Sequence, residues 1–463
     1  MQKLYVAMVG LPARGKSTLA RRIRDGLAAE GIRARLFNNG DVRRARLGAA
    51  STDPDFYNPD NTYGRLAREQ ICRHNMELAR QWLAPEGGNG DVAILDATNV
   101  SRARRRLMEG TLTDHPLLFI ECRNEDQELL RACIRRKTAL PEYAGYTEEA
   151  ALENFNKRIG YYEHIYEPLR HEKFWLRVDS TANRILAEHP REGCAYYPAI
   201  REIVVSVWVH CLYLVRHGQT EFNLQGRIGG DPPLTTQGEA QAAALAEHLR
   251  DRPIHWVFTS TRQRSHQTAA PLLAQRPQTH VMAFREFDEI WAGDCEGLRY
   301  AEIRQRMPQV ASARNADKYA FAYPNGESYA MLRDRVQRGL RRALFLAGDT
   351  PLVIVGHQAI NRVLLALFLR QRKEDIPYIY VPQDQYYHIS LTPRRKVFER
   401  LPYTPDRGLG RKILQVRTKD KEGTVPHCHQ SPPLLLCHTA IKVRLPLLLC
   451  RTAIKVRLLF FGS

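Results

Sequence analysis

The stretch that most constrains the fold is GLPARGKST, residues 10–18. It matches the phosphate-loop pattern G-x-x-x-x-G-K-[ST], follows the apolar run Leu4–Val9, and precedes apolar residues at helical spacing. This order predicts a strand, a glycine loop and a helix, and therefore an α/β domain with a mostly parallel sheet flanked by helices. The loop amides would cradle nucleotide phosphates, with Lys16 reaching the terminal ones. The predicted nucleotide contacts are Gly10, Leu11, Pro12, Ala13, Arg14, Gly15, Lys16, Ser17 and Thr18.

A second predicted strand, Val92–Leu95, leads into Asp96 within the segment DATN. A carboxylate at the carboxyl end of a neighbouring parallel strand can reach a magnesium ion that the Ser17 hydroxyl also holds. Asp96 could instead be a general base that takes the proton from an acceptor hydroxyl. The sequence leaves both roles open, and both imply ATP and Mg²⁺ as cofactors.

Clustered arginines indicate a phosphorylated acceptor, because guanidinium groups bind phosphate with two parallel hydrogen bonds. Arg158 and Tyr162 stand four residues apart and would share one face of a helix. The other candidates are Arg43, Arg44, Arg68, Arg102, Arg104, Arg105 and Arg106.

The second half of the chain has its own anion-binding groups. The apolar run Leu212–Val215 ends in Arg216 and His217, and Val353–Val355 is followed by His357. Side chains that follow parallel strands should meet at the mouth of an α/β sheet. The same edge would hold Arg264, which follows the run Trp256–Phe258, as well as Asn223, Gly229 and Glu289.

These residues suit transfer of a phosphoryl group to a histidine. The neutral imidazole of His217 would attack phosphorus and form a phosphohistidine. Arg216, Arg264 and His357 would offset the charge on the equatorial oxygens, and Glu289 would protonate the leaving oxygen and later activate water. His217 and His357 stand at no zinc-ligand spacing, so no metal is required at this site.

Composition limits the class of protein. The chain has 463 residues and a formal net charge of +19, which favours anionic partners. Nine cysteines at irregular spacing indicate reduced thiols, and no signal peptide or membrane-length apolar run is present in the sequence. We therefore expect a cytoplasmic protein that does not bind membranes, with domains at 1–208 and 209–401. Residues 402–463, where a 13-residue segment occurs twice in tandem, are expected to be a poorly ordered tail.

The first half resembles the kinase part of the bifunctional 6-phosphofructo-2-kinase/fructose-2,6-bisphosphatase family. The resemblance rests on GLPARGKS, FNNGDVRR, the PDN at 59–61, DATN, and RIGYYEHIYEPL at 158–169. It implies ATP and fructose 6-phosphate as substrates and adds Lys137 as a nucleotide-contacting residue. Asn124 stands where the family has a cysteine. The residues implied to hold the sugar phosphate are Arg43, Arg68, Thr98, Arg104, Arg158 and Tyr162.

The second half resembles the histidine phosphatase superfamily. RHGQTEFNLQGRIGGDPPLT and the later YPNGESY narrow the resemblance to the fructose-2,6-bisphosphatase part. Trp291 stands where the family has an aspartate. The resemblance implies control of glycolysis and gluconeogenesis through fructose 2,6-bisphosphate, and a homodimer. Beyond Arg216, Asn223, Gly229 and Arg264, the residues implied to bind the sugar bisphosphate are Tyr300, Arg314, Lys318, Tyr329, Gln358 and Arg362.

Two other functions are compatible with the sequence. The chain could be mainly a phosphatase or mutase whose kinase half only binds nucleotide, an alternative that Asn124 suggests. It could also bind nucleic acid or act on RNA ends, which the positive charge suggests. The sequence, however, lacks interleaved aromatic platforms and any recognised nucleic-acid module, so we expect no nucleic-acid partner.

Overall fold

A computed structural model describes residues 2–189, 193–369 and 371–403. The chain forms two compact units, one comprising residues up to Trp208 with Arg341–Asp349, the other Val209–Leu340 with the residues from Thr350 onward. The predicted tail, apart from Pro402 and Tyr403, lies outside the described residues.

The first unit is built on a six-stranded sheet in the order β2-β3-β1-β4-β5-β6. All neighbouring pairs are parallel except β5 with β6. The strand next to the phosphate loop is buried throughout, which the apolar run predicted. The strands are β1 (Leu4–Val9), β2 (Ala34–Asn38), β3 (Val92–Asp96), β4 (Leu117–Arg123), β5 (Phe174–Asp179) and β6 (Arg184–His189).

Helices pack on both faces of this sheet. Alternate residues of β1 face opposite sides, so that Leu4, Val6 and Met8 enter one apolar cluster while Tyr5 and Ala7 enter another. The helices are α1 (Lys16–Ala29), α2 (Asn39–Leu47), α3 (Thr62–Leu83), α4 (Arg102–Thr111), α5 (Gln127–Thr138), α6 (Glu148–His164) and α7 (Tyr197–Val205), with short 3-10 helices at Gly48–Ser51, Pro54–Tyr57 and Pro141–Tyr143.

The second unit has a six-stranded sheet in the order β12-β11-β7-β10-β8-β9. Its four-strand core is parallel, and β11 pairs antiparallel with both β7 and β12. The strands are β7 (Val209–Arg216), β8 (Trp256–Thr259), β9 (His280–Ala283), β10 (Leu352–Gly356), β11 (Gln385–Leu391) and β12 (Lys396–Pro402).

The second unit also carries helices, and they complete its α/β fold. They are α8 (Glu221–Gln225), α9 (Thr236–His248), α10 (Gln263–Ala274), α11 (Tyr300–Arg306), α12 (Pro308–Ala316), the part of α13 (Tyr329–Ala347) up to Leu340, and α14 (Gln358–Leu369), with 3-10 helices at Arg285–Phe287, Gly293–Cys295 and Lys373–Tyr378.

The predicted fold class is confirmed, because both units are α/β with sheets that are largely parallel. The strands predicted around residues 4–9, 92–96, 212–215, 256–258 and 353–355 are all present. Within the described ranges, no helix is long and apolar enough to cross a membrane.

The arginines after DATN, all candidates for binding an acceptor, differ in their roles in the structure. Arg105 is 1% exposed and donates from Nε to Glu172 Oε1 at 2.6 Å and from Nη1 to the carbonyl of Val100 at 2.7 Å. Arg102 reaches the same carboxylate oxygen at 2.9 Å, and Arg106 is exposed. Because α4 turns through 100° per residue, one face anchors the helix and only Arg104 lines the candidate site.

The buried pair gives a stability prediction. Changing Arg105→Met should destabilise α4 by about 3 kcal/mol, because it leaves a buried carboxylate and two carbonyls with fewer donors. Arg102→Met is the matched control on the same carboxylate, and should cost less than about 1 kcal/mol because Arg102 is more exposed. Hydrogen exchange of the α4 amides measures both changes, and equal losses would contradict the structural role of Arg105.

Candidate active sites

The phosphate loop is held in place by close backbone contacts. Gly10 has a φ of +136°, and a Cβ at that position would lie 2.6 Å from the carbonyl oxygen of Cys122. Its amide donates to the carbonyl of Thr98 at 2.9 Å, which joins the loop to the DATN segment. Only glycine combines this backbone conformation with such a close approach, so the local sequence fixes the shape of the loop.

Lys16 opens α1 and is buried at the base of the loop. Its Nζ donates to the carbonyl of Leu11 at 2.6 Å. Burial lowers its pKa to about 8, an effect that Asp96 opposes and Lys137 and Arg158 reinforce. An anion that binds nearby would stabilise the protonated form of this buried lysine.

Asp96 ends β3 and is 2% exposed. Its Oδ2 accepts from Asn38 Nδ2 at 2.6 Å, and the Ser17 hydroxyl also donates to the carboxylate. Burial raises its pKa despite these hydrogen bonds and the nearby Lys16. Asn38 ends the neighbouring strand β2 in register with Asp96 and was missed by the sequence analysis. The sequence signal that could have identified Asn38 is its position directly after the apolar residues Leu36 and Phe37.

The donor set at the loop fits a magnesium ion. Mg²⁺ is bound by hard oxygen atoms and commonly takes one or two carboxylates together with substrate phosphates. Ser17 and Asp96 supply a hydroxyl and a carboxylate that are already in contact. In the part of the chain that the structure describes, no group of three or more His, Cys, Asp or Glu residues forms a separate metal-binding cluster.

A cavity of about 610 Å³ opens beside the loop, within the size range of small-molecule sites. Gly10, Leu11, Arg14, Gly15 and Thr18 do not line it, although they shape the loop and the start of α1. The predicted site residues that do line it are Pro12, Ala13, Lys16, Ser17, Arg43, Arg68, Asp96, Thr98, Arg104, Lys137, Arg158 and Tyr162.

The arginines of this cavity differ in how much of each guanidinium is already engaged. Arg43 donates from Nη1 to the Tyr57 hydroxyl at 2.6 Å and from Nη2 to Glu142, a carboxylate that sequence analysis missed. Arg68 donates to the carbonyl of Phe56. Arg158 stacks over the Tyr57 ring at 4.0 Å; the Nε atoms of Arg43 and Arg158 both lack a partner among the described residues, so the two side chains differ in the Nη contacts that Arg43 makes. Arg158 is therefore more available to a ligand than Arg43.

Asn124 follows β4 and is 5% exposed. Its Oδ1 accepts from the amide of Asp126 at 2.9 Å, while its Nδ2 has no partner within the described residues. The side chain therefore shapes the turn into α5.

His217 follows β7 in the second unit and is buried. Its Nδ1 donates to the carbonyl of Gly218 at 2.7 Å, which leaves the lone pair on Nε2. Burial lowers its pKa well below the ordinary value, and Arg264 and Arg216 lower it further. The arrangement holds a neutral imidazole with a free nitrogen, as a nucleophile requires.

His357 faces His217, with ring centroids 5.1 Å apart. Arg264 Nε donates to His357 Nδ1 at 3.2 Å, so Nε2 carries the proton and donates to Ser260 Oγ at 2.8 Å. Ser260 lies in the TST segment after β8 and was not predicted. Both ring nitrogens thus engage protein atoms, and in this structure His357 orients Arg264.

Arg216 and Glu289 complete the centre. Arg216 donates to the carbonyl of Val381 at 3.0 Å, while its Nε has no partner in the described part of the chain. Burial lowers the pKa of Arg216 to about 10, with Glu289 opposing the change. Glu289 Oε1 accepts from the amide of Ala359 at 3.1 Å, in the first turn of α14, where the helix dipole favours a carboxylate.

The residues predicted to hold a sugar bisphosphate form a second layer beside this centre. Arg362 donates to the Tyr329 hydroxyl at 3.1 Å, and Arg314 donates to the Tyr300 hydroxyl at 3.2 Å. Burial lowers the pKa of Lys318 to about 8, and Arg362 and Arg314 lower it further. The positive charges of Arg314, Lys318 and Arg362 therefore lie close enough to repel one another.

The other predicted residues are tied to the same centre. Gln383, which was not predicted, donates to both the carbonyl of His217 and the Oδ1 of Asn223. Gly229 precedes Gly230, whose carbonyl accepts from Arg264 at 2.7 Å, and Gln358 directly follows His357. Trp291, which stands where the family has an aspartate, is 46% exposed, and its indole donates to the carbonyl of Asn325 at 3.0 Å.

Comparison with known proteins gives matches to both units. Residues 1–180 match the 6-phosphofructo-2-kinase family, and residues 212–404 match the histidine phosphatase superfamily, branch 1. The alpha-ribazole phosphatase structure from Shigella flexneri is similar at 27% identity and a TM-score of 0.39, over 44% of this chain and 99% of that one.

Relatives that contain both parts match most of the chain. The rat 6-phosphofructo-2-kinase/fructose-2,6-bisphosphatase 1 is 35% identical over 401 residues, covering 84% of this chain and 81% of the rat protein. The Caenorhabditis elegans 6-phosphofructo-2-kinase/fructose-2,6-bisphosphatase is 34% identical over 407 residues, covering 84% and 86%. The chain therefore belongs to the bifunctional 6-phosphofructo-2-kinase/fructose-2,6-bisphosphatase family.

Proposed function

We propose that this protein both makes and hydrolyses fructose 2,6-bisphosphate, a regulator of glycolysis and gluconeogenesis. The observation that carries the proposal is the presence in one chain of two unlike phosphate-handling centres. One is a phosphate-loop cavity rich in cations, and the other is a buried neutral histidine beside arginines. The two would run opposite reactions on one metabolite.

The first unit would transfer the terminal phosphoryl group of ATP to the 2-hydroxyl of fructose 6-phosphate. The phosphate loop and Lys16 would hold the nucleotide, and Arg104 and Arg158 would bind the sugar phosphate with Arg43 and Arg68 behind them. Asp96 has two candidate roles: it would help to hold a metal, or accept the proton of the hydroxyl, for which its raised pKa is suited. Phosphoryl transfer depends mainly on positioning and on charge, which this set supplies.

Magnesium would be held by Ser17 and Asp96, where it would offset negative charge on the nucleotide phosphates. Asn38 would keep the carboxylate of Asp96 turned towards Ser17. Lys137 would add charge near the nucleotide, and burial lowers its pKa in a way that a bound anion would reverse.

The second unit would remove the 2-phosphate through a phosphohistidine. His217 Nε2 forms the bond to phosphorus while the bond from phosphorus to the sugar oxygen breaks, and Glu289 gives that oxygen a proton. Water then attacks the phosphohistidine as Glu289 takes a proton back. Arg216 and Arg264 offset the charge on the phosphoryl oxygens, with His357 holding Arg264 in place.

The alternative of a phosphatase with a weakened kinase half is not favoured. Asn124 replaces the cysteine of the family, but its side chain supports a turn. Lys16, Asp96 and Arg158 remain together in one cavity. A cytoplasmic location stays a prediction from composition, and a homodimer stays a prediction from the family resemblance.

Two substitutions should separate the activities. Lys16→Ala should lower synthesis of fructose 2,6-bisphosphate about hundredfold, because a buried charge aimed at the phosphates is lost, while hydrolysis continues. His217→Ala should abolish hydrolysis and the labelled phosphoprotein but spare synthesis. Synthesis is measured by product analysis after incubation with ATP and fructose 6-phosphate, and hydrolysis by phosphate release from added fructose 2,6-bisphosphate. Loss of both activities in either variant would contradict two separate sites.

Asn38 gives a test of positioning. Asn38→Ser keeps an oxygen that can cap α2, but its side chain is too short to donate to Asp96. We expect kcat for synthesis to fall about tenfold, with a smaller change in KM for ATP. Asn39→Ser is the matched control, because Asn39 accepts from Asn75 and makes no contact with Asp96 that the structure records. Equal kcat values for the two variants would refute the role of Asn38.

The buried histidine predicts the pH dependence of hydrolysis. Because burial holds the pKa of His217 below its ordinary value, the imidazole stays neutral as pH falls through about 6.5. We expect kcat/KM, which reports the free enzyme, to hold steady from about pH 8 to about pH 6 and to decline only at lower pH. A half-loss centred near pH 6.5, measured with initial rates, would show instead that the nucleophile titrates like an exposed histidine.

A further inference from the structure

A row of three reactive side chains crosses the sheet of the second unit, away from the phosphohistidine centre. Cys211 lies on β7, His388 on β11 and Glu399 on β12, which are neighbouring strands. His388 is in register with Glu399 on one side and with Tyr213 on the other. Cys211 lies five residues before Arg216 on β7, or about 16 Å along the strand.

The hydrogen bonds of this row fix the tautomer of the imidazole. His388 Nδ1 lies 3.2 Å from Glu399 Oε2, and a carboxylate can only accept, so Nδ1 carries the proton. The lone pair of Nε2 therefore faces Cys211 Sγ, 3.6 Å away. Tyr213 stacks on the imidazole with ring centroids 5.3 Å apart and planes at 19°, which holds the ring in this orientation.

Further polar and charged groups surround the row. The Tyr213 hydroxyl is hydrogen-bonded to Cys211. Burial lowers the pKa of His388, Arg395 and Arg252 lower it further, and Glu399 opposes them. Two further titratable side chains lie nearby, and they contact each other: His248 Nε2 lies 3.2 Å from the Tyr386 hydroxyl.

The other described cysteines lack such partners. Cys72, Cys122, Cys133 and Cys295 are buried. Cys194 is partly exposed, like Cys211, but burial alone raises its pKa to about 11. Because Glu399 contacts the imidazole nitrogen that points away from the sulfur, the row does not converge on one point as metal ligands would. Its order of nucleophile, base and orienting carboxylate matches that of activated thiols.

We propose that Cys211 is a nucleophilic thiol that forms mixed disulfides with small disulfide compounds, with His388 as its base and Glu399 as the positioning residue. His388 Nε2 takes the thiol proton, and the sulfur of Cys211 attacks one sulfur of the disulfide. The new sulfur–sulfur bond forms as the old one breaks, and the departing thiolate takes the proton from His388. The site is a modification site, and it stands independently of the proposed kinase and phosphatase reactions.

The test measures thiol reactivity in the intact chain. Native protein is reacted with dithiodipyridine or glutathione disulfide, and peptide mapping follows each cysteine, so that Cys428, Cys437 and Cys450 are scored separately. At about pH 7 we expect Cys211 to react at least about tenfold faster than Cys194, because an ordinary thiol is only a few per cent ionised there. Equal rates would overturn the proposal.

Two variants show whether the row causes the reactivity. His388→Asn should slow Cys211 about tenfold near pH 7 but little near pH 9, where the thiol ionises without a base. Glu399→Gln should give a smaller slowing, and neither change should alter the rate of Cys194. If His388→Asn loosens the second unit, the buried Cys295 of that unit will react faster, and the Glu399→Gln result then decides. A rate for Cys211 that stays unchanged in Glu399→Gln and does not fall in His388→Asn would refute the roles of base and positioning residue.

Discussion

Parallel strands that end at one edge of a sheet are the constraint on which both centres depend. In the second unit, Gly356 of β10 lies in register with Arg216 of β7. The residues that follow them, His357 and His217, must therefore emerge side by side, and their rings lie 5.1 Å apart. In the first unit, the register of Asn38 with Asp96 sets the amide beside the carboxylate in the same way. Strand register thus brings the reactive side chains of each centre together.

Both centres hold more positive than negative charge in places with little water. Burial lowers the pKa of Lys16 and Lys137 in the first unit and of Arg216 and Lys318 in the second. Burial makes the charged form of these side chains less stable in the free protein. A bound phosphate stabilises that charged form, and this stabilisation favours binding. Of the carboxylates nearby, Glu142 pairs with Arg43, whereas Glu289 accepts from the backbone amide of Ala359, so the cations of each centre are not neutralised as a whole.

Motifs that are local in the sequence were predictable, and contacts between distant strands were not. Four features of the sites directly follow apolar runs, and each run predicts where a strand ends: the phosphate loop, Asp96, His217 and His357. Asn38, Glu142 and Ser260 contact Asp96, Arg43 and His357, which are 58, 99 and 97 residues away, so their roles in the two sites depend on strand register and loop path. The arginines after DATN were ambiguous for the same reason, because Glu172 decides which of them anchors α4 and lies far from them in the chain.

Two histidines beside β7 show how a hydrogen bond to one ring nitrogen decides the chemistry of the other. His217 donates a hydrogen bond from Nδ1 to a neutral carbonyl, but burial, Arg264 and Arg216 together outweigh that contact and disfavour the imidazolium, so the ring stays neutral and acts as a nucleophile. His388 donates a hydrogen bond from Nδ1 to the carboxylate of Glu399. The negative carboxylate stabilises the positive charge that the ring gains when Nε2 accepts a proton. The same tautomer therefore suits attack on phosphorus in one place and proton removal from a thiol in the other. The charge of the partner, more than the histidine itself, separates these two roles.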